Sequence, residues 1–213
     1  MAPMTTQPVG VRLVGPHLEL APVGPDDLPG LARILAEPAV YSAGYVMHHR
    51  PTTEADALAM ARSRYLDPPA FDGHGAGRIA YAVRLTDGSG LGAAGTVVGT
   101  SSLGEADLTN ERIHLGWTMY HPDVWGTVVN PETKYLLLRH AIDDLGFGRV
   151  KIQTDALNSR SQAAIAKLGA TREGVLRRHT RREDGSFRDT VVFSVTADDW
   201  PRVRDGLLAR IGG

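Results

Sequence analysis

The order of β and α patterns between Arg78 and Thr196 constrains this chain most. Three β segments come first, at Arg78–Thr86, Thr96–Leu103 and Ile113–Tyr120, and the DGSG at 87–90 marks a hairpin loop between the first two. A helix, PETKYLLLRHAIDDLGF, then leads to a strand at Arg149–Thr154. A helix at 159–168 follows, then strands at 171–179 and Thr190–Thr196 joined by the EDGS turn at 183–186. A run of antiparallel strands followed by β-α-β units implies an α+β fold, a mixed sheet of about seven strands with helices on both faces. The crossover from 113 to 154 predicts a parallel, right-handed connection.

Helix signals agree with that order. Pro25 opens a helix over 25–37 with acids in its first turn, and Pro38 stops it. The alternation over His17–Val23 reads as a strand, residues 39–51 read as irregular, and Thr52–Leu66 reads as a helix capped by Thr52 or Thr53. A Pro/Gly-rich loop fills 67–77. Asn130 predicts an N-cap with Pro131 as the first helical residue, and Gly146 and Gly169 predict C-terminal caps. The chain closes on an amphipathic helix, DDWPRVRDGLLARI.

A length of 213 residues suits one domain over 1–213, with 1–16 a flexible or edge segment. Net charge is −1, which gives no global pull toward nucleic acid or an anionic membrane. There is no cysteine, so disulfides, thiolate metal sites and thiol nucleophiles are excluded. No stretch reaches the roughly 18 apolar residues of a membrane span. The start, MAPMTTQPVGV, lacks the basic and apolar regions of a signal peptide, which predicts a cytoplasmic protein. His48, His49 and His74 lack metal-ligand spacing, so no metal is expected.

Two places carry chemistry. The loop and helix start at 121–134 is either a capped helix or an anion site, because free N–H groups and the helix dipole both favour negative charge. Asn158 and Ser161 lie three apart, on one face of a first helical turn. They read either as an N-cap with an incidental serine or as a polar grip on a ligand. Both places follow consecutive strands, where ligands of α/β sheets bind. A phosphate at 126–131 with an amide-bearing chain reaching Asn158 describes coenzyme A or something like it.

The motifs N-x-x-S at 158–161, KLGA at 167–170, REGVLRRH at 172–179, RDTVVFSV at 188–195 and LGW at 115–117 stand in a specific order. On them the chain resembles the GNAT-superfamily N-acetyltransferases, closest to the ribosomal-protein N-terminal acetyltransferase branch. The resemblance covers Leu18 to Trp200. It implies acetyl-CoA as co-substrate, with pyrophosphate on the backbone of Trp125, Gly126, Thr127, Val128, Val129 and Asn130. It implies that the strand around Trp117, Met119 and Tyr120 holds the pantetheine, that Asn158 contacts the coenzyme and that Ser161 lies near the sulfur. Lys134, on the following helix, joins the expected coenzyme site. The acceptor is then a primary amine of a small molecule, a peptide or a protein N-terminus. Nucleic acid is not expected as a partner, and a homodimer is common among such relatives.

Three positions depart from the family pattern. Val128 stands where the loop carries glycine, which permits close approach to phosphate. Ile165 stands where many members carry a tyrosine acid, leaving Ser161 as the nearby group to meet the thiolate. His114 stands where the branch often has glutamate, and a histidine with a pKa of about 6.5 suits a general base at neutral pH. Glu111 is the other candidate base, expected in the turn before the strand. The arginines at 177, 178, 181, 182 and 188 read as a solvated rim that can also receive an acidic peptide, the coenzyme 3′-phosphate or RNA. A catalytically silent, coenzyme- or metabolite-binding relative of the same fold is the rival reading, favoured by Val128 and Ile165.

Overall fold

The structure, a computed structural model, describes residues 5–42 and 48–212. Its strands are β1 (Leu13–Val14), β2 (Leu18–Pro22), β3 (Arg78–Leu85), β4 (Val97–Asp107), β5 (Arg112–Tyr120), β6 (Arg149–Asp155), β7 (Thr171–Arg181) and β8 (Phe187–Thr196). They form one sheet in the order β1-β2-β3-β4-β5-β6-β8-β7. The β5–β6 pair is parallel and every other pair is antiparallel, as the β-α-β pattern predicts. The eighth strand is the two-residue β1 at the sheet edge, too short to show a period in the sequence.

The helices are α1 (Leu28–Ala36), α2 (Pro38–Tyr41), α3 (Glu54–Ala61), α4 (Val129–Arg139), α5 (Ser159–Leu168) and α6 (Trp200–Ile211). Pro38 does more than end α1: it opens α2, because its fixed φ suits a first helical turn. The remainder of the stretch read as irregular includes 43–47, which lies outside the described residues. Thr53 caps α3 by accepting from the Asp56 N–H at 3.1 Å. Asn130 is not the cap expected of it. Helix α4 begins two residues earlier than expected, with Val128 as the flanking residue, so Asn130 sits inside the first turn. Gly169 ends α5 at φ 97°, a left-handed cap that only glycine adopts freely.

Two apolar clusters sandwich the sheet. Leu31, Ile34 and Leu35 of α1 pack with Ala57 and Ala61 of α3 and with Ala80 and Val97 of the sheet. The larger cluster joins Leu136 and Leu137 of α4 and Val203 and Leu207 of α6 to Leu20, Val83, Leu115 and Val195. The buried Glu132 carboxylate ties α4 to the N-terminal edge. It accepts from the backbone N–H groups of His17 and Leu18, each at 3.0 Å, and pairs with His17 Nδ1 at 2.6 Å.

Sheet pairing also determines where a ligand fits. β5 and β6 are in register only at Arg112↔Arg149, Ile113↔Val150 and His114↔Lys151. Beyond that row β5 runs on to Tyr120 and β6 to Asp155 without pairing, so a wedge opens between them. On its other side β5 slips against β4 between Ser102↔Gly116 and Thr100↔Met119, and Trp117 takes φ 50°. This is a bulge, a local kink in the strand where its pairing with β6 has already ended.

Candidate active site

The wedge is a cleft of about 450 Å³, lined by Leu115–Tyr120 on one wall and by Ile152–Asp155, Asn158, Ser161 and Ile165 on the other. Along its β5 wall the edge facing β6 has no strand partner, which leaves backbone N–H and C=O groups available to an extended ligand.

At its mouth the chain turns from β5 into α4. The Trp125 indole N–H donates to the Tyr120 carbonyl at 3.1 Å, and the Arg160 guanidinium stacks 3.7 Å above that ring. Thr127 fastens the next residues, donating to the Val124 carbonyl at 2.7 Å and accepting from Val129 N–H at 3.3 Å. Among the described residues the N–H groups of Gly126, Val128 and Asn130 have no protein partner, and Gly126 and Asn130 border the cleft. Three free donors at a helix start are an arrangement that suits an anion. Val128 sits at φ −64°, a conformation open to any residue, so the missing glycine does not distort this loop. The glycine that the turn requires is Gly126, at φ 79°. Val129 is wholly buried in the larger apolar cluster, so only its backbone can serve a ligand.

On the opposite wall Asn158 caps its helix and also faces the cleft. Its Oδ1 accepts from Ser161 N–H at 2.9 Å, capping α5, while the residue borders the cleft with its Nδ2 amide uncommitted among the described residues. The Ser161 hydroxyl also borders the cleft. Ile165, at the tyrosine position, is buried in the larger cluster and forms part of the floor.

Lys134 reaches the cleft from α4. Its Nζ donates to Thr118 Oγ1 at 2.6 Å and lies 3.4 Å from Ser101 Oγ, with the two hydroxyls 2.8 Å apart. No carboxylate pairs with it among the described residues, and burial pushes its pKa down to about 7. It therefore pins α4 to the bulged part of β5.

His114 lies deeper than a residue that meets substrate directly. It is 3% exposed, does not line the cleft, and packs under the Trp117 ring with centroids 4.5 Å apart. Gly116 leaves room for it, since a Cβ there would sit 2.5 Å from His114 Nε2. Its Nδ1 lies 3.3 Å from a Glu105 oxygen, and the other Glu105 oxygen takes Lys151 Nζ at 2.5 Å. Burial lowers the His114 pKa, partly offset by Glu105. The imidazole partner first, then Lys151, hold the Glu105 pKa down to about 2 against the opposing effect of burial. Glu111 lies in the turn before β5, as expected, and does not reach the cleft.

The basic hairpin is not a uniformly solvated rim. Arg182 ion-pairs with the buried Asp155, Arg188 lies 3.9 Å from the same carboxylate, and Arg178 and Arg181 stack on Phe187 at 4.0 and 4.6 Å. Sequence reasoning missed the pairing of Asp155 with this hairpin, and it missed Arg64 and Arg78 in the cleft. No local motif marks them: Asp155 reaches the hairpin through the β6–β8 pairing, and Arg78 of β3 meets Arg64 after α3 through a tertiary hydrogen bond. Among the described residues, no group of three or more His, Cys, Asp or Glu could hold a metal, and no helix is long and apolar enough to cross a membrane.

A splayed mixed sheet, a free N–H row at the mouth and a bulged strand along the wall define the cleft of an acyltransferase fold. The model of the "Acetyltransferase (GNAT) domain" matches residues 17–171, and the chain belongs to that family of N-acetyltransferases. Two solved structures that it resembles are 34% identical. One is assigned as an acetyltransferase (TM-score 0.82, covering 98% of this chain and 97% of the other). The second, from T. thermophilus, carries the same assignment (TM-score 0.79, covering 97% and 100%). At the level of fold it also resembles Mycobacterium smegmatis RimJ in complex with CoA-disulfide (18% identity, TM-score 0.71, covering 94% and 93%). No curated protein matches the sequence.

Proposed function

We propose that this protein transfers an acetyl group from acetyl-CoA directly to a primary amine in the wedge between β5 and β6. The observation that carries this reading is the joint geometry of the wedge and its mouth: an unpaired strand edge that leads to free N–H groups at Gly126, Val128 and Asn130. An elongated ligand with amides in its arm and a pyrophosphate at its end matches both. Asn158 Nδ2 meets the arm from the other wall. Arg160, stacked on Trp125, adds positive charge beside the phosphate seat.

In the reaction the amine lone pair attacks the thioester carbonyl carbon and a tetrahedral oxyanion forms. A backbone N–H of the free β5 edge stabilises it, an interaction worth about 3–4 kcal/mol. The C–S bond then breaks and the thiolate leaves toward the Ser161 hydroxyl, which hydrogen-bonds it. No covalent enzyme intermediate is involved. His114 receives the amine's proton by way of water at the edge of Trp117. Its burial favours the neutral, proton-accepting form at pH 7, and Glu105 stabilises the imidazolium that results.

Thiol release from acetyl-CoA, measured with a panel of primary amines, tests this. The expected result is amine-dependent release, which His114→Gln lowers by about a hundredfold at pH 7. The loss should shrink toward pH 9 as the amine deprotonates unaided. Coenzyme binding without amine-dependent release would favour the silent relative, the reading to which Ile165 in the tyrosine position lends support.

A further inference from the structure

Tyrosines aside, seven ionisable side chains among the described residues line the cleft: His48, Arg64, Arg78, Lys134, Arg160 and Arg188 are basic, and Asp155 alone is acidic. Asp155 is already committed to Arg182 and accepts from Leu157 N–H at 2.8 Å. Basic groups therefore outnumber acidic ones along the cleft, and the coenzyme's phosphates account for only one end of it. Arg160 stands at the phosphate mouth beside Trp125. Arg78 is in register with Gly104, and Gly104 with His114, in the row where β5 and β6 last pair. From that row to Tyr120 the chain covers six residues of strand. At about 3.3 Å per residue that is about 20 Å. Phosphates seated at the mouth do not reach it.

At this inner end Arg78 lies 5.2 Å over the Trp117 ring, donates to the Arg64 carbonyl, and keeps a buried Nε with no partner among the described residues. No carboxylate pairs with Arg64 or Arg78 among those residues, and the stretch 43–47, AGYVM, contains no acid. Glu183, the acid that pairs with His49 at 3.2 Å, does not line the cleft. Burial and then Arg64 lower the His48 pKa, and burial followed by the same Arg64 charge lowers that of Arg78. These groups thus share one region of positive field, opposed at His48 by the Glu183 charge and at Arg78 by Tyr65, but with no carboxylate paired to Arg64 or Arg78 among the described residues.

We propose that the acceptor is a primary amine that also carries an anionic group, a carboxylate in the first instance, held by Arg64 and Arg78 at the inner end of the cleft. The proposal rests on the transferase reading of the same cleft. The planar guanidinium forks match a carboxylate, and the Trp117 ring fixes one of them. The same field disfavours an ammonium beside it and so helps the amine shed its proton.

The test compares matched pairs: a free amino acid against its carboxamide, and a peptide amine followed by aspartate against the same peptide with asparagine. The two pairs distinguish an α-carboxylate from an acidic side chain. The expected kcat/KM favours the anionic member of one pair by on the order of tenfold. That ratio should fall toward one in Arg64→Gln, survive in part in Arg64→Lys, and weaken as salt rises. Equal or better use of the neutral members, or an unchanged ratio in Arg64→Gln, overturns the inference and leaves the transferase reading intact. Calorimetric titration of the same pairs into protein with and without CoA gives a second readout. An anion preference that depends on Arg64 but needs no coenzyme would support the anion site even where the transferase reading fails; no preference in either state overturns it.

Discussion

The two ends of the cleft are built from different materials. The mouth uses backbone donors and short-range devices: Gly126 at φ 79°, the Thr127 hydroxyl bonds and the Asn158 cap, each within a few residues of what it serves. The inner end uses long charged side chains from distant parts of the chain, with Arg78 of β3 stacked on Trp117 of β5 and Arg64 following α3. A backbone seat tolerates side-chain change, which is why Val128 can replace glycine without distorting the loop. A side-chain seat can vary with each substitution. The coenzyme end of such a fold can stay constant while the acceptor end diverges.

The sharpest way to break this division is Gly126→Val. A β-branched residue at positive φ costs about 1–3 kcal/mol, so the turn must move and carry its N–H groups with it. The KM for acetyl-CoA should rise by about tenfold or more while the acceptor KM stays nearly constant. Steady-state kinetics with each substrate varied would show it, and a parallel rise in both would mean that the two ends are not separate.

Lys134, between the ends, gives a smaller and opposite-signed effect. Its folded pKa of about 7 lies below the ordinary 10.5, so between those values the unfolded chain holds a proton that the folded chain does not. Stability should therefore rise with pH across that window and be insensitive to this group below it. Lys134→Met removes the slope and raises stability at pH 7 by about 1–3 kcal/mol, because a buried unpaired charge is gone. Transfer should nevertheless slow, since Thr118 and the bulge lose their anchor. Denaturant titrations at pH 7 and pH 10 would measure the first effect and turnover the second. A variant less stable at pH 7 would contradict the account.

This division also explains what could be read from sequence. Strand and helix order, the Thr53 cap, Gly169 and the N-x-x-S turn were legible because each is a local pattern with a local cause. The bulge was not, since φ 50° at Trp117 leaves no compositional mark on a tryptophan. The burial of His114 under that ring follows from the bulge and was equally hidden. Asn130 misled as a cap because the helix starts on Val129, inside the apolar cluster, where packing outweighs capping preference. Arg64, which follows α3, meets Arg78 of β3 through a hydrogen bond, and the β3–β4–β5 pairing brings Arg78 to Trp117; no spacing in the sequence encodes either.

The central claim is that the unpaired edge of β5 and the α4 mouth hold the coenzyme. A crystal structure with bound acetyl-CoA tests it most directly. The expected result is a pantetheine arm hydrogen-bonded to the backbone between Trp117 and Tyr120, with the pyrophosphate on the N–H groups of Gly126, Val128 and Asn130. A coenzyme bound outside the β5–β6 wedge, or one that leaves those N–H groups untouched, would contradict it.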